Sequence, residues 1–259
     1  MPRHDSMIHR IFQTFLSKRK PQDTPICGEV QASPLFDQPY YTDITNARID
    51  HLRDLQLPFQ HKRVIDVGCG IGRFCDFFFE KGSEIFCVDG REQNIQKLRD
   101  LYPTIQSAVI DLENTDMRTL GMFDIVFCYG LLYHLSDPLS FIRNVSSACS
   151  EFMIIETCIT DADDPILRLV AEDIDNETQA LHGFGCRPSP SYITTCLELS
   201  GFQYIYTPRF LPHHSQFQYR RENDLSYTKN NNNIRAIFIG SHRRINNSNL
   251  RHVSLSGKS

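Results

Sequence analysis

The sequence predicts an α/β fold built on a parallel sheet, and three observations carry that prediction. Apolar segments of strand length alternate along the chain with segments of helical length. The first apolar segment, residues 63–67, runs directly into Gly68, Gly70 and Gly72, a pattern typical of a tight strand-to-helix turn that lies against a ligand. A carboxylate stands at the end of each of the first three predicted strands, at Asp66, Asp89 and Asp111.

Composition fits one α/β domain with extensions. The chain has 259 residues, of which 41% are apolar and 22% are charged. The net charge of -4 argues against a protein that binds nucleic acid non-specifically, although it leaves a local basic patch open. Because no apolar run approaches the roughly 18 residues of a membrane span, we expect no integral membrane association.

The cysteines predict a reducing compartment. There are nine, an odd number, without a C-x-x-C pair, and most lie inside apolar segments. This usage is typical of buried, reduced thiols in a cytoplasmic protein, and it gives no spacing for a disulfide framework or a zinc site.

Residues 1–42 are predicted to be an N-terminal extension. Residues 1–20 are basic with scattered apolar positions, and they lack the continuous apolar core of a secretory signal. We expect a short packed helix or a loose extension, with an organelle-targeting or membrane-surface helix as the alternative.

The elements of the domain, predicted over residues 43–241, follow in order. The first part should contain helices near 43–57, 72–81, 93–101 and 138–149, and strands near 63–67, 84–89, 106–111, 123–129 and 152–156. The second part should contain a helix over 189–200 and an antiparallel strand pair over 202–206 and 234–239.

Two long connections are predicted to be insertions on the substrate side. Residues 158–187 have apolar spacing that suits a short amphipathic helix, and their length is typical of a lid. Residues 207–233 form a polar, Asn-rich connection, and residues 242–259 are predicted to be a disordered tail.

The glycine turn favours an adenosine ligand without phosphates. Asp66 would repel a phosphate at the helix N-terminus, whereas it would attract an amino group. Arg73 occupies the position of the third glycine in the dinucleotide pattern, and no G-K-[ST] follows for a P-loop. A nicotinamide Rossmann protein remains the rival interpretation.

On these residues the chain resembles the class I S-adenosylmethionine-dependent methyltransferases. The segment Asp66-Val67-Gly68-Cys69-Gly70-Ile71-Gly72 matches the family's Asp/Glu-x-Gly-x-Gly-x-Gly loop at every fixed position, and the similarity covers roughly residues 45–241. The resemblance implies a Rossmann-like class I methyltransferase fold, with a seven-stranded sheet of order 3-2-1-4-5-7-6 and helices on both faces.

The resemblance also implies a site for the cofactor S-adenosylmethionine. Asp66 and the loop residues Gly68, Cys69, Gly70 and Gly72 would face its methionine part. Asp89, with Gly90, would bind the ribose, and Asp111, with Leu112, would bind the adenine. Tyr129, at the end of the fourth strand, completes the predicted cofactor-binding set.

The segment 123–138, which contains Leu132-Tyr133-His134, narrows the resemblance. It looks like the "LYH…P" segment of the tRNA wobble-uridine carboxymethyl-transferring enzymes and of many small-molecule and sugar O-methyltransferases. The carboxylate-binding Lys of the tRNA enzymes has no clear counterpart over residues 43–62, which favours ordinary S-adenosylmethionine over a carboxylated form.

His134 is the foremost catalytic candidate, because a base near the expected methyl position would help a hydroxyl acceptor lose its proton. A structural role at the start of the next helix is the alternative. Tyr133 could line the pocket or simply pack, and Glu156 could hold a polar acceptor. No metal is predicted, since His213 and His214 lack partners at ligand spacing.

The sequence therefore predicts a methyltransferase that acts on a hydroxyl of a small molecule or sugar-like metabolite by in-line transfer. Two alternatives stay open: a tRNA wobble-uridine modifying transferase, and a catalytically silent partner protein with the same fold. The acceptor and the oligomeric state are not encoded in any readable motif.

Overall fold

The computed structural model describes residues 36, 38–217 and 234–253. The helices in this part are α1 (Pro39–Leu55), α2 (Cys75–Glu80), α3 (Glu92–Leu101), α4 (Pro138–Ser146) and α5 (Pro190–Leu199). The strands are β1 (Arg63–Val67), β2 (Glu84–Asp89), β3 (Gln106–Val109), β4 (Phe123–Tyr129), β5 (Cys149–Cys158), β6 (Leu167–Ala171), β7 (Phe184–Pro188), β8 (Tyr204–Pro208), β9 (Arg235–Ser241) and β10 (Leu250–His252). The expectations for residues 1–20 and 218–233 lie outside the described residues.

The main sheet confirms the predicted α/β class and strand order, with one strand more than predicted. Its order is β10-β8-β9-β5-β4-β1-β2-β3, so the seven expected strands lie in the expected sequence and β10 is added at the edge. Strands β1 to β5 pair in parallel, whereas β8 and β9 are antiparallel to their neighbours. The carboxyl ends of the parallel strands therefore meet at one edge, where ligands bind in such sheets.

The extra strand corrects the prediction of a disordered tail for residues 242–253, whereas residues 254–259 of that tail lie outside the described residues. Leu250 pairs with Pro208 across the β10–β8 edge and is buried. The Asn247 side chain donates to the Leu55 carbonyl oxygen at 2.8 Å. Backbone groups on the open edge of β8 and carbonyls at the end of α1 hold this segment, and its polar composition gave no sign of those distant partners.

Helices cover both faces of the sheet, as predicted. On one face α4 and α5 pack through Phe141, Ile142 and Leu197. On the other face α1, α2 and α3 contribute residues that include Leu52 and Phe78 to a second cluster. None of the described helices has the length and apolar content that crossing a bilayer requires.

Residues 158–187 form a hairpin instead of the predicted amphipathic helix. Strands β6 and β7 pair antiparallel as a separate two-stranded sheet. Ile166, Leu169 and Ile174 are exposed, so the apolar positions that suggested a helix face are not a buried stripe. The hairpin packs closely on the turn after β4, where a Cβ at Gly185 would overlap the Tyr133 carbonyl oxygen.

Candidate active site

The three glycines of the turn after β1 leave its backbone uncovered by side chains. Gly68, Gly70 and Gly72 have φ values of 73°, 54° and 84°, which favour glycine strongly. A Cβ at Gly68 would lie only 2.7 Å from the Leu131 side chain, so the absence of side chains also makes room here. Gly68 and Gly70 line a cavity at the carboxyl edge of the sheet.

Asp89, at the end of β2, organises the next wall of the cavity. Its Oδ2 accepts from the Gly70 backbone N–H at 3.0 Å, and its Oδ1 accepts from the Arg91 N–H at 2.9 Å and the Asn94 side chain at 3.1 Å. Burial raises the pKa of Asp89 above its usual value, against the lowering effect of these three hydrogen bonds. Asp89 and Gly90 both line the cavity.

Asp66 is buried behind the glycine turn and does not line the cavity itself. Among the described residues its Oδ2 has no hydrogen-bond partner. Burial, with the neighbouring charge of Asp89, raises the pKa of Asp66 to about 8. Below about pH 8 this buried carboxyl group is therefore largely protonated.

Asp111 and Leu112 line the third part of the cavity, after β3. Asp111 Oδ2 accepts from the Asn114 side chain at 2.7 Å and interacts with His182 Nε2 at 3.1 Å. Burial alone would raise the pKa of Asp111, but the hydrogen bonds from Asn114, His182 and the Glu113 N–H hold it below its usual value. The group is therefore an ionised acceptor in the neutral range.

The connection between β6 and β7 lies over the cavity. Glu177, Thr178, Gln179 and Leu181 line its roof. One Arg91 nitrogen lies within 3.0–3.3 Å of the Ile174, Gln179 and Ala180 carbonyl oxygens. Lys97 pairs with Glu177 at 3.0 Å. In this arrangement the cavity measures about 110 Å³, which is small for a nucleoside ligand.

Besides Asp66, three of the predicted cofactor residues do not line the cavity. Cys69 and Gly72 belong to the turn but do not line the cavity. Tyr129 is buried against Phe127, with ring centroids 4.4 Å apart, and its hydroxyl has no partner among the described residues. The described geometry gives these residues a role in holding the turn and the sheet.

His134 lines the cavity and is paired with a residue that the sequence analysis did not identify. Its Nδ1 is hydrogen-bonded to Glu172 Oε2, which comes from the hairpin. Burial alone would raise the pKa of Glu172, but the hydrogen bond from His134 holds it low. Because the carboxylate can only accept, His134 carries its proton on Nδ1 and presents Nε2 as an acceptor.

Burial lowers the pKa of His134, although Glu172 opposes this shift. The imidazole is therefore neutral at pH 7 and able to take up a proton through Nε2. Glu172 is itself held by the Ala180 backbone N–H at 2.8 Å. This His–carboxylate pair is the arrangement expected of an oriented general base.

Tyr133 and Glu156 do not line the cavity and belong to a neighbouring buried cluster. Glu156 is fully buried between Arg48, at 2.7 Å, and Arg235, at 3.1 Å. The Tyr133 hydroxyl accepts from Arg235 Nη2 at 3.1 Å, and its ring is covered by the Arg187 and Arg235 guanidinium groups at 5.3 and 4.7 Å. Because both Glu156 oxygens bind arginine, the described contacts favour a structural role over direct contact with an acceptor.

The residues that sequence reasoning missed come from distant segments. Glu172 lies 38 positions from His134, and Arg48 lies 108 positions from Glu156. No local sequence motif predicts Glu172 as the partner of His134, or Arg48 as the partner of Glu156. The alternation of residues 167–171 and 184–188 could have suggested a hairpin, and hence the approach of Glu172, but the buried arginines carried no signal.

A family model described as a methyltransferase domain matches residues 41–207, well over half of the chain. The chain is 30% identical over 118 residues to a ubiquinone biosynthesis O-methyltransferase of Cereibacter sphaeroides, covering 44% of this chain and 46% of that relative. It is 28% identical over 155 residues to a tRNA U34 carboxymethyltransferase of Mannheimia succiniciproducens, covering 57% and 47%. The chain thus spans about half the length of the curated relatives it matches.

Solved structures share the fold. The N-terminal domain of EvdMO1 with SAH bound has a TM-score of 0.59 at 20% identity, covering 75% of this chain and 81% of that one. An S-adenosylmethionine-dependent methyltransferase from Mesorhizobium loti has a TM-score of 0.51 at 19% identity, covering 75% and 96%. At these identities the likeness shows the fold alone.

Proposed function

The chain belongs to the methyltransferase-domain family, and from that premise we propose that it transfers the methyl group of S-adenosylmethionine to a hydroxyl of a small molecule. The observation that carries the proposal is the buried His134–Glu172 pair, which faces the same cavity as the glycine turn. A proton acceptor is needed for a hydroxyl acceptor, because methylation of the oxygen requires loss of its proton.

The residues around the cavity fit S-adenosylmethionine. Asp66, with its unpartnered buried oxygen, suits the amino group of the methionine part. Asp89 has lone pairs left for ribose hydroxyls after its three protein hydrogen bonds. Asp111 with Leu112 suits the adenine. When bound, the cofactor supplies an activated methyl group, so that the protein needs to provide only position and proton management.

The proton route uses this chain's own residues. Glu172 accepts from His134 Nδ1–H and fixes the tautomer, and it stabilises the imidazolium that forms when Nε2 takes the acceptor's proton. The Glu172 side chain is only 6% exposed, so its charge acts on the ring with little screening by water. His134 acts as the base and Glu172 as its positioning residue.

Transfer of a labelled methyl group to a panel of hydroxyl compounds, measured over pH, tests the proposal. For the His134→Ala variant we expect turnover to fall about 10²–10⁴-fold while S-adenosylhomocysteine affinity is retained. Full activity of this variant would contradict the role of His134. Absence of S-adenosylhomocysteine binding to the wild-type protein in calorimetry would contradict the cofactor assignment itself.

The Glu172→Gln variant separates positioning from simple packing. Because Glu172 raises the pKa of His134, its loss should move the acid limb of the kcat/KM profile to lower pH and reduce kcat about 10–100-fold. A merely structural role for Glu172 would lower activity without moving the limb. Glu80→Gln, which alters a carboxylate that pairs with Arg53 at 2.7 Å and does not line the cavity, is the matched control.

A tRNA-modifying transferase is the second candidate, since the similarity to a tRNA U34 carboxymethyltransferase extends over a longer part of the chain. Copurified RNA that stimulates transfer would favour it, and transfer to small molecules without RNA would favour the first. We also infer a cytoplasmic location from the cysteines, because the eight in the described residues are all buried free thiols.

A further inference from the structure

Next to the candidate base lies a buried ion cluster with more positive than negative charge. Arg48 and Arg235 bind the two oxygens of Glu156. Side-chain exposure is 8% for each arginine and 0% for the glutamate. Two guanidinium groups against one carboxylate leave one unit of positive charge, and placing such charge out of water is costly without a compensating anion.

The surrounding groups within the described residues do not supply that anion. Glu172 is already bonded to His134 and lies 3.6 Å from Arg187, a third cation. Burial lowers the pKa of His214, and the charges of Arg48 and Arg235 lower it further, while the opposing charge of Asp43 belongs to an exposed residue, so neither group is a buried anion for the cluster. The Tyr133 hydroxyl is neutral, because burial raises its pKa.

A second observation points to a ligand at this place. Arg48 Nε is buried and has no hydrogen-bond partner among the described residues. Such an unpaired donor costs about 1–3 kcal/mol unless a ligand or water satisfies it. The cluster thus has one uncompensated positive charge and one hydrogen-bond donor without an acceptor among the described residues.

The cluster adjoins the cavity. A Cβ at Gly130, which lines the cavity, would lie 3.7 Å from Arg48 Nη2, so the guanidinium lies directly behind this glycine, although neither Arg48 nor Arg235 lines the cavity itself. The Tyr133 ring lies 4.0 Å from the His134 ring and 4.7 Å from the Arg235 guanidinium. The base and the cations are therefore separated by about one aromatic ring.

We propose that Arg48 and Arg235 bind a carboxylate on the methyl acceptor, so that the substrates are hydroxy acids whose hydroxyl reaches His134. The assignment rests on the proposed function, whose acceptor class it makes specific. A carboxylate carries one negative charge, which matches the single uncompensated positive charge, whereas a phosphate would bring up to two. Arg48 offers its unpartnered Nε–H to the carboxylate, whereas the Arg235 nitrogens already donate to Gln216, Glu156 and Tyr133, so that Arg235 contributes mainly its charge.

Matched ligand pairs test the assignment on the wild-type protein saturated with S-adenosylhomocysteine. Calorimetry compares 4-hydroxybenzoate with 4-hydroxybenzamide, and glucuronate with glucuronamide. We expect the carboxylate of at least one pair to bind about tenfold or more tightly than its amide. Equal affinity within both pairs would overturn the proposal, while failure to bind S-adenosylhomocysteine would instead reject the proposed function.

Two substitutions test whether Arg48 causes the preference for the carboxylate. Arg48→Met leaves Glu156 and Arg235 as a balanced pair and should remove the preference for the carboxylate without changing S-adenosylhomocysteine affinity. Arg53→Met, on the exposed side of the same helix where Arg53 pairs with Glu80 at 2.7 Å, should keep the preference. A preference that survives Arg48→Met would overturn the assignment. If Arg48→Met does not fold, the wild-type pairs decide alone.

Two further ligands separate other sources of negative charge. Tighter binding of phenyl phosphate than of benzoate would contradict the match to one charge. A carboxylated analogue of S-adenosylmethionine that binds more tightly than the parent, with the gain lost in Arg48→Met, would place the carboxylate on the donor and overturn its assignment to the acceptor.

Discussion

The two ends of the candidate site are built in different ways. The cofactor end comes from three successive strand-and-turn units, which place Asp66, Asp89 and Asp111 within one short part of the chain. The acceptor end joins α1, the turn after β4, the hairpin and β9, so that Arg48 and Arg235 meet across most of the sequence. The residues proposed for the cofactor therefore come from neighbouring segments of the chain, whereas the residues proposed for the acceptor are brought together only by the tertiary fold.

The hairpin connects the two ends. Its connecting residues form the roof over the cofactor cavity, while Glu172 holds the base and Gly185 packs on the turn after β4. Substitutions can therefore test whether the two ends are independent or are coupled through this one element.

The largest effect on the cofactor end should come from Asp89→Ala. Loss of the carboxylate removes the expected ribose contact and leaves the Gly70 N–H without its acceptor. S-adenosylhomocysteine affinity should fall about 100-fold in calorimetry. The same substitution at the exposed Asp116 should leave affinity unchanged. A change of less than about threefold for Asp89→Ala would contradict the ribose role.

The next largest effect should come from Asp66→Asn, and this effect should depend on pH. The pKa of Asp66 is raised from 3.8 to about 8 in the fold, so the stability that this group contributes is full below the unfolded pKa and is lost as pH rises through about 8. Asp66→Asn should therefore be more stable than wild type near pH 8, by on the order of 2 kcal/mol in chemical denaturation, and the difference should shrink at low pH.

The same substitution should weaken the cofactor end. Binding of a cationic amino group favours ionised Asp66, so wild-type S-adenosylhomocysteine affinity should rise with pH towards about 8, with proton release in calorimetry at neutral pH. Asp66→Asn should lose both the pH dependence and the released proton. If Asp66→Asn keeps the pH dependence of affinity or the released proton, a group other than Asp66 causes that effect.

Gly185→Ala should affect the acceptor end more than the cofactor end. An added Cβ would lie 2.7 Å from Glu172 Oε1 and would displace the hairpin from the turn after β4. We expect kcat to fall about tenfold, with a smaller loss of S-adenosylhomocysteine affinity and faster deuterium exchange over residues 167–188. Gly201→Ala, where φ is 92° but no atom lies within 4 Å, is the control for general strain.

The smallest effect should come from Arg91→Met. The lost hydrogen bonds hold the roof through the Ile174, Gln179 and Ala180 carbonyl oxygens. Dissociation of S-adenosylhomocysteine in stopped-flow measurements should become about three- to fivefold faster. Arg99→Met, on the same helix but bonded to Ser107, should leave the rate unchanged. An equal change in both variants would argue against a roof tether.

The sequence by itself determined the sheet and most of the cofactor end. Strands β1, β2 and β4 have the predicted bounds, because a doubly covered parallel strand is a continuous apolar run that local composition reveals. Gly68 and Gly70 identify the turn, because its positive φ values strongly favour glycine. Polar residues at strand ends then meet at one edge by the geometry of the sheet.

Only the tertiary structure decided the hairpin, the edge strand β10 and the acceptor end. Leu169 and Ile174 are exposed on the hairpin and its connection, so their apolar character misled a prediction based on helical spacing. Strand β10 depends on the free edge of β8. The fold brings Glu172 to His134 and Arg48 to Glu156. The position of a charged residue in the sequence does not identify the residue with which it pairs.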